Sequence, residues 1–117
     1  MAYNLETILA EKIETVLSRG IANTRPRDFY DIHILFSLHE TECDPAILRN
    51  ALDLTATNRG SIDIIPAYKT IIEKISNSDQ MLKFWQKYQH DFSYARDIPF
   101  IKAYGTVVRI MTWIESF

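Results

Sequence analysis

Charged side chains lie on the otherwise apolar face of the first predicted helix. Between residues 5 and 19, apolar residues recur at helical spacing, so one side of this helix is predicted to be buried. The residues of this stripe are Leu5, Ile8, Leu9, Ile13, Val16 and Leu17. Lys12 falls on the stripe, and Arg19 follows seven residues later along the same edge. The chain must therefore fold so that these two cations find partners at the rim of its core.

The second predicted helix also has charged side chains on its apolar face, and here the charge is negative. It begins at Pro26, a residue suited to the first helical turn, and its buried face is Phe29, Ile32, Leu35 and Phe36. Asp28 and Asp31 lie within or beside this face. The connection from Gly20, which should end the first helix, to Arg25 is short, so the two helices should be antiparallel neighbours. This arrangement places Arg19 opposite Asp28 and Lys12 within reach of Asp31.

Two interpretations of these charges are open. They are either ion pairs that close a helical hairpin, or a polar site in which cations hold phosphate while carboxylates orient the cations or a metal. Burying ions costs several kcal/mol each unless they are well paired, and apolar replacements are often as stable. This cost favours a functional use of the charges.

The remaining chain also has helical patterns. We predict a third helix from Pro45 to about Ala56, a linker over residues 61–65, a fourth helix from Pro66 to about Ser76, a fifth capped by Ser78, and a last one over residues 99–115. The predicted fold is all-α: a single domain over residues 1–117, built as a compact bundle of five or six helices on the N-terminal hairpin.

The same patterns predict which side chains are buried. For the last four helices these are Ile47, Leu48, Ala51, Leu52 and Leu54; Tyr68, Ile71, Ile72 and Ile75; Met81, Leu82, Phe84, Trp85 and Tyr88; and Ile101, Tyr104, Val108, Met111 and Ile114. Gly105 should mark a close approach between helices. The aromatic residues of the fifth helix interleave with Lys83 and Lys87, so a base-stacking surface is an alternative to core packing there.

Composition excludes several classes of function. The net charge of −2 and pI of about 5.9 provide no general basic field, so contact with nucleic acid has to be local. Cys43 is the single cysteine, which suits a reducing cytoplasm. We find no membrane-spanning segment or signal peptide. The spacing of the three histidines (His33, His39 and His90) predicts no metal site.

The segment YNLETILAEKIETVLSRGIANTRPRDFYDIHIL resembles the C-terminal half of bacterial abortive-infection nucleotidyltransferase toxins of the AbiEii/AbiGii type. Members carry a lysine in an A-E-K segment, then S-R-G, then an R-x-K-D-x-x-D element. Here the lysine is Lys12, the first arginine of the element is Arg25, and the carboxylates are Asp28 and Asp31. Arg27 replaces the usual lysine, which keeps the charge but changes the donor geometry. The resemblance is dense over residues 2–35.

The resemblance implies a role in metal-dependent nucleotidyl transfer during phage defence. It implies catalytic roles for Lys12, Asp28 and Asp31, and nucleotide binding by Lys12, Arg19, Arg25 and Arg27. No residue of this chain is expected to bind metal. In the family, a polymerase-beta-like domain upstream supplies a Gly-Ser-type turn and the metal-binding carboxylates, and no such turn precedes Lys12. We therefore expect Mg²⁺ and a nucleoside triphosphate only where such a domain completes the site, and no catalysis by this chain alone.

Several explanations of that pattern stay open. The chain is a truncated reading frame, a degenerate remnant, a partner that completes another polypeptide's site, or a part whose upstream sequence was removed. Its expected partners are a nucleotide or RNA, a cognate antitoxin, or a second copy of itself. A function of a different class, a non-catalytic protein-interaction module, is the alternative.

Overall fold

The computed structural model describes residues 4–20 and 25–117. They form six α-helices: α1 (Leu5–Arg19), α2 (Pro26–His39), α3 (Pro45–Arg59), α4 (Tyr68–Ser76), α5 (Asp79–Asp91) and α6 (Phe100–Ile114). Single 3₁₀ turns lie at Glu40–Glu42, Ile62–Ile64 and Ser93–Ala95. No strand occurs in these residues, and the predicted all-α class is confirmed.

Side chains placed just before three helices cap them. Asn4 Oδ1 accepts a hydrogen bond from the amide of Thr7 at 2.8 Å, Asp44 Oδ1 accepts from two amides at the start of α3, and Ser78 Oγ accepts from Met81 at 3.1 Å. Each bond satisfies an amide that has no partner inside its own helix. Gly60 ends α3 in the left-handed conformation (φ 73°, ψ 25°). These local signals set the helix boundaries from sequence alone.

Helix α1 lies against both α2 and α3, and α2 in turn packs on α6 and α5. Because Lys12 is close to Asp31 while Arg19 lines the same crevice as Asp28, α1 and α2 run antiparallel. The core formed between these helices contains Leu9, Ile13, Leu17, Ile32, Leu48, Leu52, Ile75, Met81, Trp85, Ile110, Met111 and Ile114. The hairpin is thus the centre of the bundle, and the other helices cover it.

Five residues predicted to be buried are exposed instead, and those predictions are wrong. They are Ile47, Leu54, Leu82, Phe84 and Ile101. The physical reason is that an outer helix contacts neighbours on one side only. In α3 the buried residues are Leu48, Leu52 and Ala56, which form a single row at four-residue spacing. The predicted stripe was wider than the surface that the neighbouring helices cover.

Four local predictions also need correction. Helix α4 begins at Tyr68 and not at Pro66, because residues 65–67 form a turn in which the amide of Tyr68 donates to the carbonyl of Ile65. The predicted linker contains a 3₁₀ turn. Gly105 marks no close helix approach, since a Cβ atom built there would meet nothing within 4 Å. Gly20 has the expected positive φ of 53°, but its ψ of −134° lies outside the left-handed helical region.

Two buried carboxylates on α1 were not predicted. Glu14, only 3% exposed, accepts hydrogen bonds from Arg59 Nη1 at 2.6 Å and from Ser61 Oγ at 2.8 Å. Burial opposes ionisation of Glu14, but the hydrogen bonds and the charge of Arg59 outweigh it and lower its pKa. Glu6 Oε2 accepts from the amide of Asp44 at 2.9 Å. Both carboxylates tie α1 to the two ends of α3.

His33 connects α2 to α6. Its Nδ1 lies 2.7 Å from Thr106 Oγ1, and that hydroxyl donates its proton to the carbonyl of Lys102. Nδ1 must therefore carry a proton and donate to Thr106. Burial lowers the pKa of His33, and the nearby charges of Lys102 and Arg109 lower it further. The imidazole is a neutral structural link between the helices.

The buried Glu14 carboxylate yields a prediction for stability. Arg59→Met should lower the free energy of unfolding by about 2 kcal/mol, because the buried Glu14 carboxylate then loses its one charged partner and keeps only hydroxyl groups. The matched control is Lys87→Met, which breaks an exposed Lys87–Asp91 ion pair and should cost less than about 1 kcal/mol. Urea unfolding measures both variants, and equal losses would contradict the importance of burial.

The pKa of His33 yields a prediction for pH dependence. Because the folded protein lowers this pKa below the ordinary 6.5, the unfolded chain binds the proton more readily. The free energy of unfolding should therefore fall as the pH drops from 6.5 towards the lower folded pKa. In His33→Gln, which keeps a donor but does not titrate, this fall should be smaller. Urea unfolding curves across that range test the point, and identical slopes for both proteins would refute it.

Candidate functional site

Lys12 and Asp31 form an ion pair across the α1–α2 hairpin. Lys12 Nζ donates to Asp31 Oδ2 at 3.0 Å, as the antiparallel arrangement predicts. The two side chains are 29% and 32% exposed, so neither is sealed in the core. Partial burial strengthens the attraction relative to bulk water. It also leaves both charged groups within reach of a ligand.

Asp28 lies at the centre of the charged set. Burial raises its pKa, and the charges of Lys12, Arg25 and Arg19 oppose that rise, while Asp31 adds to it. The geometry agrees, because Arg19, Arg25 and Asp28 line one crevice and Lys12 contacts Asp31. Asp28 lies three residues before Asp31 on the same side of α2, which explains their mutual repulsion.

A narrow crevice lies beside Asp28, between the last turn of α1 and the first turn of α2. It is lined by Thr15, Val16, Arg19, Gly20, Arg25, Asp28 and Phe29. Its volume of about 10 Å³ leaves room for about one water molecule. Arg19 and Asp28 both line it, as predicted, although within residues 4–20 and 25–117 no salt bridge joins them. A phosphate group would have to bind over the crevice mouth.

Arg27 lies on the other side of the site. Its guanidinium carbon is 5.5 Å from the centre of the Phe92 ring, which belongs to the connection between α5 and α6. The side chain is exposed. Its positive charge acts to lower the pKa of Tyr88, and the negative charge of Asp31 acts to raise it. Arg27 therefore borders the charged set where it meets a group of aromatic rings, and the sequence pattern alone had not indicated this neighbourhood.

The site carries a local positive charge in an acidic protein. Lys12, Arg19, Arg25 and Arg27 contribute four positive charges, and Asp28 and Asp31 contribute two negative ones. An excess of two positive charges remains, whereas the whole chain has a net charge of −2. Arginine and lysine side chains of this kind bind phosphate by charge-assisted hydrogen bonds. The chemistry of the site suits an anionic ligand.

Other candidate groups show no comparable site. Within the described ranges, no cluster of three or more His, Cys, Asp or Glu side chains could hold a metal ion. Cys43 is buried, and burial together with the charges of Glu6 and Asp44 raises its pKa to about 11. None of the helices that the structure describes has the length and apolarity needed to cross a membrane.

The mutual influence of these charges can be measured. Lys12→Met should raise the pKa of Asp28, because Lys12 makes the largest of the contributions that favour its ionised form. Carbon-13 NMR titration of the Asp28 carboxyl group measures this pKa. Lys87→Met removes a lysine from an exposed ion pair on α5 and should leave it unchanged. An unaltered Asp28 pKa in Lys12→Met would show that the two groups do not interact.

Comparison with known proteins identifies the family. The model of the nucleotidyl transferase AbiEii toxin family, of type IV toxin–antitoxin systems, matches residues 1–107. No curated protein and no solved structure matches the chain. The family match extends well beyond the dense resemblance at residues 2–35 and reaches about the middle of α6. The chain belongs to the AbiEii family of nucleotidyl transferase toxins.

Proposed function

We propose that this chain is the helical portion of an AbiEii-like nucleotidyltransferase toxin and contributes a half-site for a nucleotide or an RNA acceptor. The observation that carries the proposal is the partly exposed Lys12–Asp31 pair with Arg19 and Arg25 close by. The family match supplies the reaction class, the transfer of a nucleotidyl group. Charge and geometry supply the role of this domain within it.

A purely structural role explains the charges less well. A partly exposed ion pair contributes little to stability, typically under about 1 kcal/mol. The buried Glu14 carboxylate, paired with the partly exposed Arg59, already holds α1 against α3, and this pair lies outside the charged set. The cations of the charged set outnumber its carboxylates, so ion pairing within the set cannot neutralise all of the positive charge. This excess supports a phosphate ligand.

Each side chain then has a distinct role. Lys12 neutralises charge on a triphosphate, and Asp31 holds its ammonium group in position. Arg25 and Arg27 bind phosphate oxygens, with Arg19 adding charge at the crevice. Asp28 orients the nearby arginines or bears on the acceptor. The burial that raises its pKa makes Asp28 a better proton acceptor than an exposed aspartate.

The donor set of this site does not fit Mg²⁺. Asp31 accepts a hydrogen bond from Lys12. The negative charge of Asp28 interacts with Lys12, Arg25 and Arg19. Magnesium prefers carboxylates and phosphate oxygens in octahedral geometry, without ammonium groups beside them. We therefore assign no metal ligand here. Transfer chemistry would require metal-binding carboxylates from elsewhere in the toxin, and the half-site alone is not expected to catalyse.

We also propose that the protein acts in the cytoplasm. A nucleotide ligand and a single buried thiol both agree with that compartment.

A protein-interaction module is the second candidate, and the outer face of α6 favours it. A groove of about 640 Å³ there is lined by Ile101, Tyr104, Gly105, Val108, Arg109, Thr112 and Trp113. Ile101 is 74% exposed. Toxin–antitoxin systems pair a toxin with an antitoxin, so a cognate antitoxin or a second copy are the partners that this module would bind. None of the groove residues belongs to the charged site.

Calorimetric titration tests the half-site. The folded chain, titrated with each nucleoside triphosphate in the presence of Mg²⁺, should bind at least one of them. Lys12→Met should weaken that binding by about tenfold or more, because a charged hydrogen bond to phosphate is lost. The control is Lys87→Met, which removes another lysine paired with an aspartate and should bind like the wild type.

The result separates the two candidates. Equal binding by the wild type and Lys12→Met would show that phosphate does not contact Lys12. No binding of any triphosphate by a chain shown to be folded by circular dichroism would overturn the half-site. It would favour the interaction module, which sedimentation with the antitoxin or of the chain alone would then address.

A further inference from the structure

A cluster of aromatic rings lies beside the charged site. Tyr30 of α2 packs against Tyr94, with ring centres 4.8 Å apart. Phe92 lies 5.4 Å from Tyr94 and 4.9 Å from Tyr88. We call Tyr30, Phe92 and Tyr94 the tyrosine ledge. It joins α2 to the connection between α5 and α6.

The tyrosine ledge and the charged site are continuous. Tyr30 immediately precedes Asp31, which holds Lys12. Arg27 lies one helical turn before Asp31 on α2, and its guanidinium group is over the ring of Phe92. A ligand bound by Arg27 would therefore lie next to the ring of Phe92. Arg27 joins the charged site to the ledge.

The ledge differs from the aromatic core next to it. Trp85 and Tyr88 are 1% and 7% exposed, whereas Tyr94 is 49% exposed. The phenol oxygens of Tyr88 and Tyr94 lie 2.8 Å apart, so the Tyr94 hydroxyl already has a buried partner. The hydroxyl group of Tyr94 is thus engaged, while about half of the residue stays accessible to solvent. An exposed ring that is tied down by its hydroxyl group can accept a stacking partner with little loss of conformational entropy.

The backbone that carries Tyr94 is anchored. Trp85 Nε1 donates to the carbonyl of Ile98 at 2.9 Å, and Gln89 Nε2 donates to the same carbonyl, also at 2.9 Å. The Ser93–Ala95 segment is a 3₁₀ turn whose Ala95 is fully buried. The ring of Tyr94 is therefore held in place before any ligand arrives, which is what a specific binding surface requires.

We propose that the tyrosine ledge stacks against the base of a nucleotide whose phosphates bind at Lys12 and the neighbouring arginines. The proposal rests on the half-site function and adds the part of the ligand that phosphate contacts leave undefined. Tyr94 supplies the stacking ring, Tyr30 supports it, and Arg27 lies between the base and the phosphates. Stacking on an aromatic ring accepts any base, so this surface adds affinity without demanding one nucleotide.

A second exposed aromatic ring, on α5, provides the control. Phe84 on α5 is 39% exposed and follows Lys83, which gives it the same combination of ring and cation. No aromatic or cation contact links Phe84 to the charged site within the described part of the chain. If any exposed ring next to a cation sufficed, Phe84 would serve as well as Tyr94.

The experiment compares nucleotides with inorganic tripolyphosphate, which has the phosphates and no base. ATP, GTP, CTP, UTP and tripolyphosphate are titrated into the wild type, Tyr94→Ala, Tyr94→Phe and Phe84→Ala. Tyr94→Ala should weaken binding of the preferred nucleotide by about tenfold and leave tripolyphosphate unaffected. Tyr94→Phe keeps the ring and loses only the hydroxyl contact with Tyr88, so it should weaken nucleotide binding much less than Tyr94→Ala does. Phe84→Ala should bind both ligands normally.

A second measurement does not depend on the stability of Tyr94→Ala. In Tyr94→Trp the new indole should be quenched by the nucleotide and not by tripolyphosphate, against the background of Trp85 and Trp113. Quenching by neither ligand, or an equal loss of nucleotide and tripolyphosphate binding in Tyr94→Ala, would overturn the stacking proposal.

Failure of the half-site would give a different pattern. Lys12→Met should weaken nucleotide and tripolyphosphate binding together, because it acts on the phosphates. If Lys12→Met left both intact while Tyr94→Ala still weakened the nucleotide, the phosphate site would be wrong and the stacking surface would stand. If Lys12→Met acted as expected and Tyr94→Ala had no effect, only the stacking proposal would fail.

Discussion

The contact between α1 and α2 determines how the rest of the chain is arranged. It joins two apolar stripes, and it also has to accommodate a lysine on one helix and aspartates on the other. Lys12 and Asp31 meet at 3.0 Å, which requires one antiparallel alignment of the two helices. With that alignment in place, α3 covers one side of α1 and α6 covers the outer side of α2. A charge placed in a helix stripe thus selects among arrangements that apolar packing alone would tolerate.

The same contact explains why binding chemistry collects at this edge of the bundle. Where apolar surfaces meet completely, as around Ile13 and Leu52, no polar group is accessible. At the crevice between the end of α1 and the start of α2, Asp28 is only partly buried, and the charges of Lys12, Arg25 and Arg19 oppose the rise in its pKa that burial causes. The low dielectric of the adjoining core strengthens these interactions. The candidate site therefore lies where α1 carries cations and α2 carries carboxylates at the rim of the core.

Much of this could be predicted from the sequence because it depends on local signals. Asn4, Asp44 and Ser78 cap helices wherever the fold places them, and helical spacing put Lys12 and Asp31 on facing stripes. The AbiEii resemblance likewise depended on residues close together in the chain. What could not be predicted depends on which helices become neighbours.

Glu14 and Tyr94 illustrate the limit. Glu14 lies outside the predicted apolar stripe of α1, and its partners Arg59 and Ser61 come from the end of α3 and the residues after it, 45 and 47 residues away. Ile101 looked like a core residue, and it is exposed because no described element covers that side of α6. Tyr94 is separated from Tyr30 by 64 residues, and no periodicity within either segment relates them. Distant partners of this kind are decided by the whole topology.

The anchored connection after α5 has an evolutionary consequence. Its fixed points, the Ile98 carbonyl and the buried Ala95, face inward, while about half of Tyr94 in the same short segment stays accessible to solvent. Tyr94 also contacts Tyr30 on α2 and hydrogen-bonds the buried Tyr88, so its exchange would alter contacts on both sides of this connection. Substitutions in this segment are therefore expected to occur together with changes at Tyr30 or Tyr88, whereas the Lys12–Asp31 pair lies outside these contacts.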